Sequence, residues 1–491
     1  MQQHRPIMFA GTGSDAGKSV INTGFCRILK QDGFNPAPFK AQNMSLNSYA
    51  TPEGFEIGRA QATQAEACGI PCHTDMNPVL LKPTGETRSQ VVLNGKPIGD
   101  RSAGEYFRSN NNQALFDEAF KAFERLRQRY SPLVMEGAGA ISELNLKNRD
   151  IVNMPMALRT NAAVYLVADI DRGGVFASVY GSIALLEPEE RALIKGIIIN
   201  KFRGDITLFD DGKKIIEELT HIPVVGIIPY FNDIYIEDED AVALDKKSNQ
   251  AKEGLVNIGI VLLNQMANFT DFSTLEHDPR THLYYSRDPQ ELEKADIIIL
   301  PGSKNTLADL HFIRKTGIDT TILSARAKDK TVIGICGGYQ MMGQTITDPK
   351  GIEGNLSTME GLDLFPLQTT ITEKKITKQV TFRFQNGNTL CKGYEIHMGC
   401  STQTANVIPL NKKTDGTTEG IFMNKKCWGT YMHGILDNKE VIDTLLAPYT
   451  DKQSNDLNYL AFKEQQYDRL AAHLRQHLDI KAIYKEIRQT N

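Results

Sequence analysis

The chain is poor in what would send it outside the cell or into a membrane. Its seven cysteines are too few and too scattered among 491 residues for a disulfide framework. Cys26, Cys336, Cys391, Cys400 and Cys427 stand alone, and Cys68 and Cys72 form one nearer pair. With His73 that pair could be half a metal site, but no second half follows, so buried or idle thiols are the better reading. No apolar stretch approaches the ~18 residues that would cross a bilayer. The opening MQQHRPIMFAG has no long apolar core and no cleavage pattern. A reducing cytoplasm without a membrane anchor is the expectation. The formal net charge is −4 and no long Lys/Arg run offsets it, so nucleic acid is not an expected partner. Internal repeats and low-complexity tracts are missing too. Oligomeric state stays open.

What is present is globular: 41% hydrophobic and 23% charged residues. The length calls for two or three domains. PIMFAG reads as a strand and KSVINTGFCRILKQDG as the helix after it. NPAPFKAQN, PLVMEGAGA, AAVYLVADID, IKGIIINKFRGD and PVVGIIPYF supply further short apolar runs. Runs of this kind separated by helices predict an α/β fold with a parallel sheet covered on both faces. A second α/β series follows in VNIGIVLLN, ADIIILPGS, TVIGICGG and CWGTYMHGIL. The expected division is a nucleotide-binding domain over 1–237, a linker over 238–254, a second domain over 255–440 and a helical segment over 441–491. An exposed helix inside one domain is the other reading of 238–254. Ligands should gather at the carboxyl ends of the strands.

GTGSDAGKSV has the shape of a phosphate-binding loop with unusual glycine spacing. The common form is G-x-x-x-x-G-K-[ST]. Gly17, Lys18 and Ser19 fit its end, but Thr12 stands where its first glycine belongs, and the glycines are Gly11 and Gly13. The loop follows a strand and precedes a helix, so backbone N–H groups from Gly11 through Asp15, Ala16 and Gly17 can face an anion. ATP is the expected ligand. Lys18 would reach the terminal phosphates and Ser19 would sit on Mg²⁺. Glu136, ending a strand before a glycine turn, is the candidate second metal ligand. Lys40 could add positive charge nearby, and Asn200 could contact the base.

The second half carries another strand-end pattern. Cys336 lies in a glycine-flanked turn between a strand and a helix, as in a nucleophile elbow with a thiol in place of serine. The helix N-terminus would favour its thiolate. His433 in GTYMHGIL is the candidate base. Backbone N–H groups of Gly302 and Gly337 could form an oxyanion hole.

These motifs carry resemblances. GTGSDAGKS, EGAGA and NKFRGD are similar to the dethiobiotin synthetase type of ATP-binding fold, whose members phosphorylate a carboxylate or carbamate. The ordered P-G, C-G-G and H-G pattern resembles class I glutamine amidotransferases. That likeness implies that Cys336 forms a thioester with glutamine and His433 helps free ammonia. Most of that class carry an acid two positions after the histidine. Here Ile435 stands there, which either disables the site or marks the subgroup working with a Cys–His pair, the cobyrinic and cobyric acid synthases. KGYEIHMG, with Glu395 and His397, resembles their segment near the glutamine pocket, and Glu395 receives no role from sequence. FKAQNMSLNSY, GRAQATQAEAC, MNPVLLKP and NRDIVNMPMA resemble the cobyric acid branch. The resemblance implies ATP- and glutamine-dependent amidation of four corrin carboxylates, b, d, e and g. It makes Asn43 and Asp150 candidates for the corrin side, with loop capping as the other reading of both. Two rivals stand beside it. One is a ligase acting on another carboxylate, of the cobyrinic acid a,c-diamide synthase type or in cell-wall precursor amidation. The other is a partitioning or regulatory ATPase with a degenerate amidotransferase domain.

Overall fold

The computed structural model describes residues 3–84, 88–102, 111–239, 244, 247–385, 387–450 and 458–489. A six-stranded parallel sheet runs, in spatial order, Ala37–Phe39, Leu133–Glu136, Ile7–Gly11, Ala163–Asp169, Ile194–Phe202 and Val224–Pro229. Its strands are mostly apolar because both faces are covered: Ile7, Phe9, Val164, Leu166 and Ile198 are fully buried. Phe9 pairs with Glu136 and Asp169 with Asn200, so Glu136 at the end of its strand and Asn200 near the end of its own lie at the edge where the glycine loop begins. The helix Lys18–Gln31 follows that loop and lies against the sheet.

A second six-stranded sheet orders Thr281–Ser286, Val256–Val261, Ile297–Leu300, Thr331–Ile335, Cys427–Thr430 and Ile421–Asn424. All its pairings are parallel except the last. Two antiparallel features had no clear sequence signal. One is the sheet of Gln42–Met44, Val79–Pro83, Arg88–Leu93 and Lys96–Ser102, in which the first pair alone is parallel. The other is a long hairpin of Leu367–Phe384 with Cys391–Gln403, to which Met432–His433 adds an edge.

The chain's last part returns to its first. Helix Tyr459–His477 packs Tyr467, Leu470, Ala471 and Leu474 into the core under Lys18–Gln31, and Ile483 and Ile487 from the following helix join them. Arg27–Asp468 at 2.7 Å and Lys463–Glu66 at 2.6 Å add charged ties. Helix Lys439–Leu446 belongs instead to the second core through Val441, Ile442 and Leu445. The stretch 238–254 lies partly outside the described residues. Of its described part, Leu244 enters the second core and Lys247 binds Glu276 at 2.6 Å.

Two candidate active sites and the segment between them

The glycine loop curls as its sequence suggests. Gly17 sits at φ +94°, and a β-carbon there would fall 2.2 Å from the Asn200 amide nitrogen, so glycine is required twice over. Asn200 donates to the Ala16 carbonyl at 2.8 Å. It therefore braces the loop from beneath. Asp15 meets Arg172 at 3.0 Å, at the outer lip. Thr12 donates its backbone N–H to Val167, extending the strand into the loop. Lys18 is buried, and its ammonium donates to the carbonyls of Gly13 at 2.9 Å and Gly139 at 3.0 Å. Burial lowers its pKa, against the opposing pull of Glu136.

Ser19 lies between two carboxylates, 2.9 Å from Glu136 and 2.8 Å from Glu239. Lys40 binds the same two, at 2.7 and 3.1 Å. Burial disfavours the Lys40 charge, but Glu136 and Glu239 outweigh that and raise its pKa. Gln64 donates to the other Glu136 oxygen at 2.6 Å. Glu239 was invisible as a site residue, because its acid run reads as linker. Lys18, Ser19, Lys40, Glu136 and Glu239, with Asn43 and Gly139, line a cavity of about 550 Å³. Asn43 is buried there and donates to Gln61 at 3.1 Å. Asp150 does not line it. One of its oxygens accepts the N–H groups of Val152 at 2.7 Å and Asn153 at 2.9 Å. Asn153 in turn holds Ala138, in the turn after Glu136. The structure thus gives Asp150 a capping task at one remove from the cavity.

In the second half the strand Thr331–Ile335 ends at Cys336, whose φ of +53° is strained for a residue with a β-carbon. The helix Gly337–Met341 turns back so tightly that a β-carbon at Gly338 would fall 2.0 Å from the Leu300 carbonyl. That closeness explains the C-G-G spelling. The Cys336 sulfur donates to the Ile396 carbonyl oxygen at 3.6 Å and lines one cavity with His433. Gly302 packs beside the His433 ring, and Gly337 lies against the backbone of Ser303, so both glycines border the thiol.

His433 has the acid that position 435 lacks. Its Nδ1 meets Asp271 at 2.7 Å, and the other Asp271 oxygen accepts the Gly434 N–H at 2.9 Å. Asp271 is buried in the short helical turn Phe269–Phe272. The empty position 435 therefore does not leave His433 without an acid: a carboxylate 162 positions earlier in the chain meets its ring. Burial disfavours the imidazolium, but Asp271 and Cys336 outweigh it and push the His433 pKa up to about 10. Sequence reasoning missed this acid; its one distinguishing mark is that it is the only charged residue between Glu253 and Glu276. His397 lines the Cys336 cavity and stacks on Tyr431 with centroids 3.8 Å apart. Glu395, next but one in the same strand, binds Lys413 at 3.2 Å and stands 3.8 Å from His397, outside the cavity. Burial raises its pKa, but His397 and Lys413 outweigh that and bring it down to about 2.

Residues 43–48 connect the sites. Asn47 donates to the Glu239 backbone carbonyl at 3.2 Å and accepts the Phe269 N–H at 3.1 Å. Ser48 N–H donates to Asn268 at 2.9 Å. Tyr394 donates to the Ser48 carbonyl and stacks on the His433 ring, centroids 5.4 Å apart. A buried polar path therefore leads from Glu239 to the residues that seat Asp271 and His433.

This fold and these sites define a nucleotide-binding α/β unit joined to a glutamine amidotransferase unit. Comparison agrees: a CobQ/CobB/MinD/ParA nucleotide binding domain matches residues 7–242, and a CobB/CobQ-like glutamine amidotransferase domain matches 257–441. A cobyric acid synthase of Parabacteroides distasonis is 60% identical over 495 residues, with 99% of this chain and 100% of that protein covered. One from Bacteroides fragilis is 58% identical and one from Syntrophobacter fumaroxidans 45% identical, each with 98% of both chains covered. The chain belongs to the cobyric acid synthase family.

Proposed function

We propose that this chain uses ATP and glutamine to amidate the b, d, e and g carboxylates of adenosylcobyrinic acid a,c-diamide, giving adenosylcobyric acid in cobalamin biosynthesis. The observation that carries the reading is the pairing of two strand-end sites in one chain, bridged by residues 43–48. Residues 1–237, closed by the C-terminal helices, act as the synthetase, and 255–440 as the glutaminase.

At the first site Gly13, Asp15, Ala16 and Gly17 wrap the phosphates, with Lys18 on the terminal ones, and Gly11 and Thr12 form the strand end that carries this loop. Asn200 holds the loop beside the nucleotide. Ser19, Glu136 and Glu239 form an all-oxygen donor set that suits Mg²⁺, a hard cation. Bound there, Mg²⁺ would offset phosphate charge. Lys40 now bridges both carboxylates, so the site already stabilises a positive charge at that place. Asn43 faces the corrin side of the cavity. Transfer of the terminal phosphoryl group to a corrin carboxylate gives an acyl phosphate and ADP.

At the second site Cys336 attacks the glutamine side-chain carbonyl, and the oxyanion draws on the Gly302 and Gly337 N–H groups. His433, as imidazolium, gives its proton to the departing nitrogen. Asp271 fixes the ring orientation and its charge. Water then hydrolyses the thioester to glutamate. Ammonia attacks the acyl phosphate, phosphate leaves, and an amide remains. No described helix is long and apolar enough to cross a membrane. Seven free thiols suit a reducing cytoplasm.

Incubation of the protein with the a,c-diamide, ATP, Mg²⁺ and glutamine, followed by mass spectrometry of the corrin, tests the reading. Four successive amidations are expected. An unchanged corrin with ongoing glutamine hydrolysis would send the search to another carboxylate.

A further inference from the structure

MNPVLLKP has so far only been a family likeness, yet it delivers a charge to the wrong domain. Lys82, in the strand Val79–Pro83 of the synthetase half, lines the cavity around Cys336 and His433. It donates to Glu56 at 2.7 Å and to Ser48 at 2.9 Å. Lys375, from the long hairpin of the glutaminase half, lines the same cavity and binds the other Glu56 oxygen. The ladder of that hairpin loses register between Ile371 and Ile376. Such an irregularity re-aims a side chain, and here Lys375 leaves the ladder for the domain interface. All three side chains are buried, with exposures of 5%, 7% and 0% for Lys82, Lys375 and Glu56.

Two buried ammonium groups thus share one carboxylate, on the wall of the cavity that holds the nucleophile. Lys304 adds a third positive group to the wall, and the acid facing it, Glu353, is pushed by burial up to about 7. Burial likewise drives Lys375 down to about 7, with Lys82 and Lys304 adding to the effect against the pull of Glu56. The cavity wall thus carries three lysines and one acid, Glu353.

Resting on the reading of this cavity as a glutaminase site, we propose that Lys82 and Lys375, clamped together by Glu56, form the subsite for the α-carboxylate of glutamine. The substrate brings a further negative charge. Because one lysine comes from each half, the glutamine pocket is complete only where the two domains are docked. The lysines position the substrate for Cys336 and take no part in bond making.

The test compares glutamine with its methyl ester, which keeps the side-chain amide and loses the charge. The wild-type enzyme should strongly prefer glutamine. Lys375→Met and Lys82→Met should each raise the KM for glutamine at least about tenfold, as expected for a lost charged hydrogen bond, and shrink the preference over the ester. Lys375→Arg should retain most of the preference. Amidation from ammonium salts reports that the variants fold. If the Met variants keep the wild-type KM and preference, the subsite is elsewhere. If all three variants lose ammonium-dependent amidation along with glutamine use, the cluster is a structural tie and the proposal falls. Failure of the wild-type enzyme to hydrolyse glutamine at all would instead overturn the functional reading beneath it.

Discussion

The two sites solve their electrostatics in opposite ways. Around Ser19 the charged groups satisfy one another: Lys40 bridges Glu136 and Glu239, and Lys18 is tied to two carbonyls. A nucleotide must rearrange those partners, so this site is built by its ligand. Around Cys336 the order is already present. The thiol is held on a strained turn, and His433 is locked between Asp271 and Cys336. The comparison teaches that a charge-balanced cluster suits a site that opens and refills for successive carboxylates, whereas a fixed set suits one small substrate.

The largest expected effect belongs to the fixed site. His433→Ala should cut glutamine-dependent amidation about 10⁴-fold while ammonium still serves, as measured by amide formation with each nitrogen source. Equal loss with both would erase the division of labour. Lys18→Ala should cost about 10³-fold with either source, read from the same assay with folding checked by circular dichroism. Near-normal turnover with ammonium in that variant would remove the phosphate-loop assignment.

Asp271→Asn should cost about 10²-fold with glutamine only, and its pH profile sharpens the case. The imidazolium is the acid form needed for the leaving nitrogen, and it is lost as pH rises through its pKa, about 10 in the intact set. Removing the Asp271 charge lowers that pKa, so the falling limb should move to lower pH. A limb that stays in place would make Asp271 a packing residue. Asn47→Ala breaks the bridge and leaves the Phe269 N–H unpaired, so about a tenfold fall in glutamine use is expected, with little change in ammonium use. The smallest effect is at Asp150. Asp150→Asn keeps the accepting oxygen and should change every amidation by one small common factor. Asp150→Ala should lower stability by about 1 kcal/mol. Selective accumulation of part-amidated corrins would instead return Asp150 to the substrate side.

What the sequence revealed follows the same contrast. The loop from Gly11 to Ser19, the strand-end Glu136 and the Cys336 elbow are local patterns, in which backbone geometry demands glycine at fixed spacing, so they could be read directly. Asp271 and Glu239 could not. Each reaches its partner through tertiary folding, His433 lying 162 positions from Asp271 and Ser19 lying 220 from Glu239. The long hairpin was missed for a related reason: stretches such as TTITEKKITKQV alternate weakly, and burial on one side only is set by docking against Ala50 and Glu56.

The central claim is that both sites serve one reaction, the nitrogen freed from glutamine at Cys336 ending in the new corrin amides. Glutamine labelled with ¹⁵N in its side-chain amide, supplied with ATP, Mg²⁺ and the a,c-diamide and no added ammonium, tests it directly by mass spectrometry of the corrin. The account predicts that label enters all four new amides with little dilution. Unlabelled nitrogen in most of the product, or glutamate formed while the corrin stays unchanged, would contradict it.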